Sequence, residues 1–270
     1  MSATPRLIAG AIALATITGF GPAAKAQTAQ ELKWCNQADG TTLDMQIRGC
    51  SAVIQSAKFS GRNLAVTFNN RGSAYDEKGE YDRALRDYDE AIRTDPNLAL
   101  AYNNRGNTYK HKGQYDRILE EYNQAIKLDP KFALAFANRG KEYGRRGQRD
   151  LAIQDFDEAI KINPKYADAL NERGRVYHAK EQYDRATEDY SQAIKIDPKF
   201  SFAYNNRGLV FATKGQYGRA IEDYDQAIKL NSSYANAYYN RSIAKDKTGD
   251  KEGAAADLLE AKRINPNIGR

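Results

Sequence analysis

Asparagine recurs with a fixed period of 34 residues along most of this chain, and Glu172 interrupts the row. The members of this asparagine row are Asn70, Asn104, Asn138, Asn206 and Asn240. An asparagine side chain both donates and accepts hydrogen bonds, so a row of them can pair with the peptide groups of a bound segment whatever its sequence. The same amides can instead brace neighbouring parts of the protein. The spacing alone leaves both interpretations open.

Arginine and acidic residues recur in step with the asparagine row. An arginine directly follows each place in that row, and an acid follows each arginine 16 residues later. The arginines are Arg71, Arg105, Arg139, Arg173, Arg207 and Arg241, and the acids are Asp87, Glu121, Asp155, Asp189, Asp223 and Asp257. We predict charge pairs between neighbouring helices, with the arginine stems packed on apolar surface. An anion-binding stripe is the alternative, which the matching acids disfavour.

Catalytic chemistry is not indicated by the sequence. The chain has two histidines, His111 and His178, which lie far apart and at different places in the repeating pattern. It contains no recognisable pairing of a nucleophile with a base and no glycine-rich phosphate loop, and its acids recur as they do on solvated helix faces. We therefore predict that the protein is not an enzyme and uses no cofactor or metal.

The bulk composition is that of a soluble globular protein. Of the 270 residues, 41% are hydrophobic and 28% are charged, and the formal net charge is +6. Charges of both signs alternate along every copy of the pattern, which is typical of a solvated surface. We therefore predict no nucleic-acid partner.

The first 26 residues are predicted to be a secretory signal peptide. Arg6 gives a positive start, residues 7–20 form an uncharged and largely apolar run, and Ala24 and Ala26 supply the small residues of a cleavage site. An uncleaved membrane anchor is the alternative, but the run is short for a spanning helix. We expect cleavage after Ala26, no stable membrane insertion afterwards, and a periplasmic or secreted protein.

The two cysteines, Cys35 and Cys50, lie in the part expected to be exported. Two cysteines at this separation in an oxidising compartment predict one disulfide. A pair of free buried thiols is the alternative.

The periodic residues must be carried by helices. Between residues 99 and 132, apolar residues recur three and four apart in two stretches; Gly113 separates them and Pro130 ends the second. This spacing is typical of amphipathic helices, and nothing alternates with the period of a strand. Six copies follow without an insertion, which predicts a stacked helical repeat protein.

Small and large residues fall at fixed places in every copy. In the second copy they are Tyr102, Gly106, Tyr109, Ile118, Tyr122, Ala125 and Pro130, at repeat positions 4, 8, 11, 20, 24, 27 and 32. This unit resembles the tetratricopeptide repeat. The resemblance implies an all-α fold, a right-handed α-solenoid of antiparallel helix pairs. It places six repeats in residues 65–266, at 65–98, 99–132, 133–166, 167–200, 201–234 and 235–266, and leaves a tail at 267–270.

Residues 27–64 are predicted to form a degenerate N-terminal helical unit. If the phase of the repeats continues, Trp34 falls at position 4, Cys50 at 20, Ile54 at 24 and Ala57 at 27. Residues 39–40 would form the turn of this unit, and a Cys35–Cys50 disulfide would tie its two helices together.

The family resemblance also implies a binding groove, because the first helix of each tetratricopeptide repeat lines a concave surface. The asparagine row would then face a ligand, similar to the asparagine ladder of the O-GlcNAc transferase superhelix, which holds an extended peptide by its backbone. Further groove candidates are Asn69, Asn103, Asn171 and Asn205, a basic zone of Lys141, Arg145, Arg175 and His178, and an apolar zone of Phe202, Leu209, Tyr239 and Ile243. Together they suggest a ligand with an acidic part and an apolar part.

The leading functional hypothesis is a non-catalytic adaptor of the cell envelope that binds a protein or peptide partner in this groove. A structural protein that self-associates through its open C-terminal and convex surfaces is the second hypothesis. Binding of an acidic polysaccharide by the basic zone is the third.

Overall fold

The computed structural model describes residues 22–269, which form fourteen α-helices, with no strand among them. The helices are α1 (Pro22–Cys35), α2 (Leu43–Gln55), α3 (Gly61–Glu77), α4 (Tyr81–Thr94), α5 (Ala99–His111), α6 (Tyr115–Leu128), α7 (Ala133–Arg145), α8 (Arg149–Ile162), α9 (Ala167–Ala179), α10 (Tyr183–Ile196), α11 (Ser201–Thr213), α12 (Tyr217–Leu230), α13 (Ala235–Thr248) and α14 (Lys251–Ile264). The prediction of an all-α protein built from helix pairs is confirmed.

A tight turn separates the two helices of each repeat, and glycine makes most of these turns. Gly113 has a φ of +71°, a left-handed conformation that glycine adopts without steric cost. Glu181 occupies the same place in the fourth repeat with a φ of +59°. The second helix of a repeat ends at an Asp or Asn; the Asp95 carboxylate, for example, accepts a bond from the backbone N of Asn97 at 3.0 Å.

The two helices of a repeat lie so close together that the glycine at repeat position 8 could not carry a side chain. A Cβ added to Gly72 would lie 2.8 Å from Cε1 of Tyr88, and one added to Gly208 would lie 2.7 Å from Cε1 of Tyr224. Both tyrosines are fully buried. The glycine therefore lets the aromatic ring of the second helix lie flat against the first helix, as the repeat pattern predicted.

The described residues form two compact units. One ends at Ala135 and the other begins at Phe136. We call them the N-terminal unit and the C-terminal unit and treat each by itself. In both, the second helix of a repeat buries an alanine and an aromatic one turn apart: Ala84 and Tyr88 on α4 in the first unit, and Ala186 and Tyr190 on α10 in the second.

The N-terminal unit begins with a helix pair joined by a disulfide. Cys35 ends α1, Cys50 lies in α2, and their Cα atoms are 4.6 Å apart. Both residues are fully buried. The predicted disulfide is therefore present, and Gly40, with a φ of +78°, lies in the turn between the two helices as predicted.

The predicted phase of this first pair is wrong. The Thr42 hydroxyl accepts a bond from the backbone N of Met45 at 3.2 Å, so α2 starts four residues earlier than the phase of the other repeats requires. Because α2 also ends early, Ala57 lies beyond the helix and is exposed. Val53 and Phe59 are buried in its place.

The charged start and the apolar run of the predicted signal peptide lie outside the described residues. Helix α1 begins at Pro22, ahead of the predicted cleavage point after Ala26. Among residues 22–269, no helix is both long and apolar enough to span a membrane.

Candidate functional site

Each arginine of the repeating pattern makes a bidentate ion pair with the acid of its own repeat. Nε and Nη2 of Arg71 lie 2.7 Å from the two carboxylate oxygens of Asp87, and Arg173 holds Asp189 at 2.9 and 2.6 Å. The other pairs are Arg105–Glu121, Arg139–Asp155, Arg207–Asp223 and Arg241–Asp257. The predicted charge pairs are confirmed, and they join the two helices of one repeat.

A third bond ties most of these arginines to the preceding repeat. Nη1 of Arg105 lies 2.7 Å from Asp89, and Nη1 of Arg241 lies 2.6 Å from Asp225. Where the acceptor is a serine the bond persists, as between Arg207 and Ser191 at 3.0 Å. Each such arginine therefore joins three helices, and its guanidinium also lies near an aromatic ring at repeat position 4, position 11 or both. This network uses up the anion-binding capacity that the arginine row could otherwise offer.

The acids of this network differ in their proton affinity. Burial raises the pKa of Asp87 and Asp189, and the arginine partner only partly offsets this effect. Burial also acts on Asp257, but hydrogen bonds from Arg241 and Lys245 outweigh it and lower the pKa of that carboxyl. The second cation therefore distinguishes the last repeat.

In the N-terminal unit the asparagines bond one another. Asn104 Nδ2 donates to Asn69 Oδ1 at 3.0 Å, and Asn70 Nδ2 donates to the backbone oxygen of Cys35 at 3.2 Å. Asn103 Nδ2 donates to Asn104 Oδ1 at 3.2 Å. All four amides are completely buried. The geometry here follows the bracing alternative, because a buried amide cannot reach a bound peptide.

The C-terminal unit has the same bonds but a more open row. Asn206 Nδ2 donates to Asn171 Oδ1, and Asn240 Nδ2 donates to Asn205 Oδ1, each at 2.9 Å. Asn171 and Asn205 are buried, whereas Asn206 and Asn240 are half-buried. Asn138 and Glu172 are half-buried at the same repeat position. Only this half of the asparagine row is open to solvent.

The predicted basic zone is largely neutralised. Lys141 pairs with Asp168, Arg145 with Glu142, and Arg175 with Glu172. Burial lowers the pKa of His178, so this residue is neutral at pH 7. The Glu142–Arg145 and Glu172–Arg175 pairs are three residues apart on one helix, a spacing from which they could have been found in the sequence. The zone is therefore mixed in charge and does not select for an acidic ligand.

The predicted apolar zone is exposed in the C-terminal unit. Phe202 is 39% exposed and Ile243 is 44% exposed, while Leu209 and Tyr239 are half-buried. The ring of Phe202 meets the ring of Tyr234 edge-on with centroids 5.0 Å apart. We call Phe202, Leu209, Tyr234, Tyr239 and Ile243 the apolar row. Tyr234 was not among the predicted groove residues because it lies just before α13, and only positions within the first helix of each repeat were considered.

The two units differ in the hydrogen bond of the buried tyrosine hydroxyl on the second helix of a repeat. The buried Tyr88 hydroxyl lies 3.5 Å from Ser73 Oγ, and the Tyr122 hydroxyl donates to Asn107 at 2.6 Å. In the C-terminal unit, Leu209 stands where Ser73 and Asn107 stand. The buried hydroxyls of Tyr190 and Tyr224 have no hydrogen-bond partner among the described protein atoms. In the repeat of Tyr190 the same place is held by Arg175. Since an unpaired buried hydroxyl is costly, the repeat of Tyr224 keeps the apolar Leu209 at the expense of an internal bond.

The N-terminal unit instead buries a polar cluster that sequence reasoning missed. Asp76 is 4% exposed; it accepts a bond from Thr108 Oγ1 at 2.6 Å and lies 3.2 Å from His111 Nδ1. The bond from Asp76 raises the pKa of His111, and burial only partly opposes it. Asp76 and His111 are 35 residues apart, which is one residue more than the repeat period. A comparison of identical repeat positions therefore does not predict this contact.

The described residues contain no cluster of three or more His, Cys, Asp or Glu side chains that could hold a metal ion. The acids at repeat position 23 instead pair with the arginines of their own repeats.

Comparison with known proteins agrees with this architecture. The sequence profile described as "TPR repeat" matches residues 72–113, 106–147, 140–180, 174–215 and 210–249, and the profile described as "Tetratricopeptide repeat" matches residues 235–268. No curated protein matches the chain.

Solved structures share the fold. MamA is 30% identical over 61% of this chain and 96% of its own, with a TM-score of 0.54. A tetratricopeptide repeat protein from Parabacteroides merdae is 22% identical over 92% of this chain and 95% of its own, with a TM-score of 0.67. YrrB, described as a TPR protein with an unusual peptide-binding site, is 23% identical over 67% of this chain and 93% of its own, with a TM-score of 0.53. With its repeats matched across most of its length, the chain belongs to the tetratricopeptide repeat family, whose members bind protein or peptide partners.

Proposed function

We propose that this protein is a non-catalytic interaction scaffold of the cell envelope whose C-terminal unit binds an extended, mainly apolar segment of a partner protein. The observation that carries the proposal is the apolar row, with Phe202 and Ile243 exposed on α11 and α13. Soluble proteins leave such rows uncovered chiefly at interaction sites. The orphaned Tyr224 hydroxyl beside Leu209 supports the proposal, because the internal bond is given up where an apolar surface is gained.

The half-buried amides next to this row supply the backbone contacts in our proposal. Asn206 and Asn240 each spend one amide hydrogen on the preceding asparagine. An amide has a second hydrogen and a carbonyl oxygen with two lone pairs, so each can also bond a peptide group. The apolar side chains of the segment would then lie on Phe202 and Ile243, which are suited to anchor residues.

The predicted preference for an acidic ligand is narrowed to a single position. Arg175 is 60% exposed and bonds Glu172 through one nitrogen at 2.8 Å. A guanidinium has five N–H donors, so Arg175 can also donate hydrogen bonds to one carboxylate of a ligand. The paired charges of Lys141 and Arg145 give no comparable opening, and they do not favour binding of an acidic polysaccharide.

Export to the envelope belongs to the same proposal. It rests on the signal-peptide features of residues 1–26 and on the Cys35–Cys50 disulfide, a bond that persists mainly in oxidising compartments. Cell fractionation, together with mass spectrometry of the mature N-terminus, tests it. Recovery of the full-length chain from the cytoplasm would contradict it.

The groove is tested by selecting binders from a phage library of random extended peptides on the full mature chain. We expect enrichment of peptides with large apolar residues, and Phe202→Asp or Ile243→Asp should weaken their binding at least tenfold, as expected for anchor positions. Leu230→Asp is the matched control, since Leu230 is also 39% exposed but lies at the end of α12, away from the row. Equal binding by all three variants, or enrichment of peptides without apolar residues, would overturn the proposal.

The similar protein YrrB is described as having a peptide-binding site, and this supports testing peptides before other ligands. Circular dichroism and the melting temperature of each variant separate a loss of binding from a loss of folding.

A further inference from the structure

The outer face of the last helix carries an uncovered apolar stripe. On α14, Leu259 is 73% exposed, and Ala255 and Ala256 are exposed beside it. Glu252 lies one turn before the alanines and Lys262 one turn after Leu259, so the four places share one side of the helix. The stripe thus begins with an acid and ends with a base.

In the internal repeats, the next repeat packs on part of this side of the second helix, and the acids in the place of Leu259 stay about half exposed, 49% for both Asp157 and Asp225. Ile153 on α8 packs with Tyr177 and Val210, and Ile221 on α12 packs with Ala244. The residue in the place of Leu259 accepts the Nη1 bond from the following arginine, as Asp157 does from Arg173. At α14 no repeat follows among the described residues, and Leu259 has no oxygen to offer such an arginine.

We propose that α14 pairs with α14 of a second copy of this chain in an antiparallel, two-fold symmetric contact. In this arrangement Leu259 of each copy lies on Ala255 of the other, and Glu252 of each copy faces Lys262 of the other. A contact of this kind is self-complementary, as a two-fold interface must be.

Charge complementarity favours a second copy as the occupant. Glu252 and Lys262 take part in no ion pair among the described residues, whereas their neighbours are satisfied within the chain: Lys251 pairs with Asp246, and Arg263 with Glu260. The two available charges are therefore opposite in sign and equally distant from the centre of the stripe. The tail leaves the stripe open, since Ile268 packs on the other side of α14 with Ala261 and Tyr239.

Head-to-tail stacking does not fit the same surface. The joints between repeats use an arginine from the incoming helix, and α1 contains none. A ring or filament built by continuing the repeat pattern would thus lack the bond that holds the described joints together. The symmetric contact needs no such bond and closes at two copies.

A contact between two single helices is small, so we expect a weak dimer with a dissociation constant of about micromolar order. Analytical ultracentrifugation of the full mature chain over a range of concentrations measures it. Leu259→Asp should leave only monomer, while Leu151→Asp, at a leucine that is 41% exposed on α8, should dimerise like the wild type. Because Leu259 is already 73% exposed, its replacement should leave the melting temperature of the monomer unchanged.

A charge exchange tests the antiparallel geometry separately. Glu252→Lys and Lys262→Glu should each weaken the dimer about tenfold or more, and the double variant should restore it, because its charges again face opposite charges. A chain that is monomeric at all concentrations, assemblies that keep growing, or a double variant as weak as the single ones would overturn the proposal. Peptide binding by the Leu259→Asp monomer remains measurable, so failure of the dimer is distinguishable from failure of the groove.

Discussion

The two units are built from the same repeat but differ in where their polar groups go. In the N-terminal unit the asparagines, Ser73, Asp76 and Thr108 are buried and satisfy one another. In the C-terminal unit the corresponding surface carries Leu209, Ile243 and Phe202, and two buried tyrosine hydroxyls are left without a protein partner. The arginine pairs maintain the fold in both units, which frees the first helices of the repeats to differ. One unit uses this freedom for internal bonds and the other for an exposed apolar surface.

The largest effect should be the same in both units. Arg105→Ala and Arg173→Ala each remove a guanidinium that holds two acids, and each strands a carboxylate that is almost completely buried. Breaking a buried pair in this way costs about 3–5 kcal/mol of unfolding free energy. Urea denaturation, with hydrogen exchange to locate the loss, measures it. A clearly smaller loss in one unit would show that the arginine pairs are not the common support.

The asparagines should show the difference between the units. Asn104→Ala removes the donor to Asn69 Oδ1 and the acceptor of Asn103 Nδ2, both in fully buried side chains, and should cost about 2–3 kcal/mol of unfolding free energy, near the upper end for such a loss. Asn206→Ala, at the same repeat position, affects a half-buried amide that solvent can reach, so we expect a loss of about 1 kcal/mol or less. The same denaturation experiment compares the two. Equal losses would contradict the division between a closed and an open row.

Removal of one buried tyrosine hydroxyl should change the unfolding free energy differently in the two units. Tyr122→Phe deletes a hydroxyl that donates to Asn107 at 2.6 Å and should cost about 1 kcal/mol. Tyr224→Phe deletes a buried hydroxyl without a protein partner and should leave the unfolding free energy unchanged or raise it. A loss of similar size in both variants would show that the hydroxyl of Tyr224 has a hydrogen-bond partner and that Leu209 does not replace an internal bond.

The smallest effect concerns pH, and its sign should differ between the two histidines. The folded-state pKa of His111 is raised by Asp76, so its contribution to stability is complete below the ordinary histidine pKa of about 6.5 and is lost as pH rises through the folded value. The folded-state pKa of His178 is lowered by burial, so stability is lost as pH falls below about 6.5.

Urea denaturation between pH 5 and pH 8 should therefore show wild type losing stability relative to His111→Gln as pH rises, and gaining stability relative to His178→Gln. Each change should stay within about 1 kcal/mol, since both histidines are partly exposed. Slopes of the same sign for the two variants would contradict the assignment.

The sequence predicted the features that depend on close packing and on period. Gly72 and Gly208 allow contacts that no Cβ could accept. Arginine and acid recur together because each pair joins the first helix of a repeat to the second. The direction of an amide is different, because Asn104 and Asn206 have the same spacing and the same bond but unequal exposure. Exposure depends on the size of the surrounding side chains, which the period does not encode.

Two other errors have local causes. The shift of α2 coincides with a cap by Thr42, whose hydroxyl bonds the first turn four residues before the repeat phase would start the helix. The predicted basic zone took in only cations, whereas Asp168, itself at groove position 2, pairs with Lys141, and Glu142 pairs with Arg145.

The bridge from each arginine to the repeat before it also bears on how such a chain can change length. Since the described joints within each unit use the same set of partners, a block of 34 residues could be duplicated or deleted inside a unit and its bonds would form again. A copy added after residue 266 would instead place its arginine against Leu259, where neither a carboxylate nor a hydroxyl is available. At that joint the added arginine would keep only the pair with the acid of its own repeat, unless Leu259 were replaced by a residue such as aspartate, which occupies this place before Arg173 and Arg241.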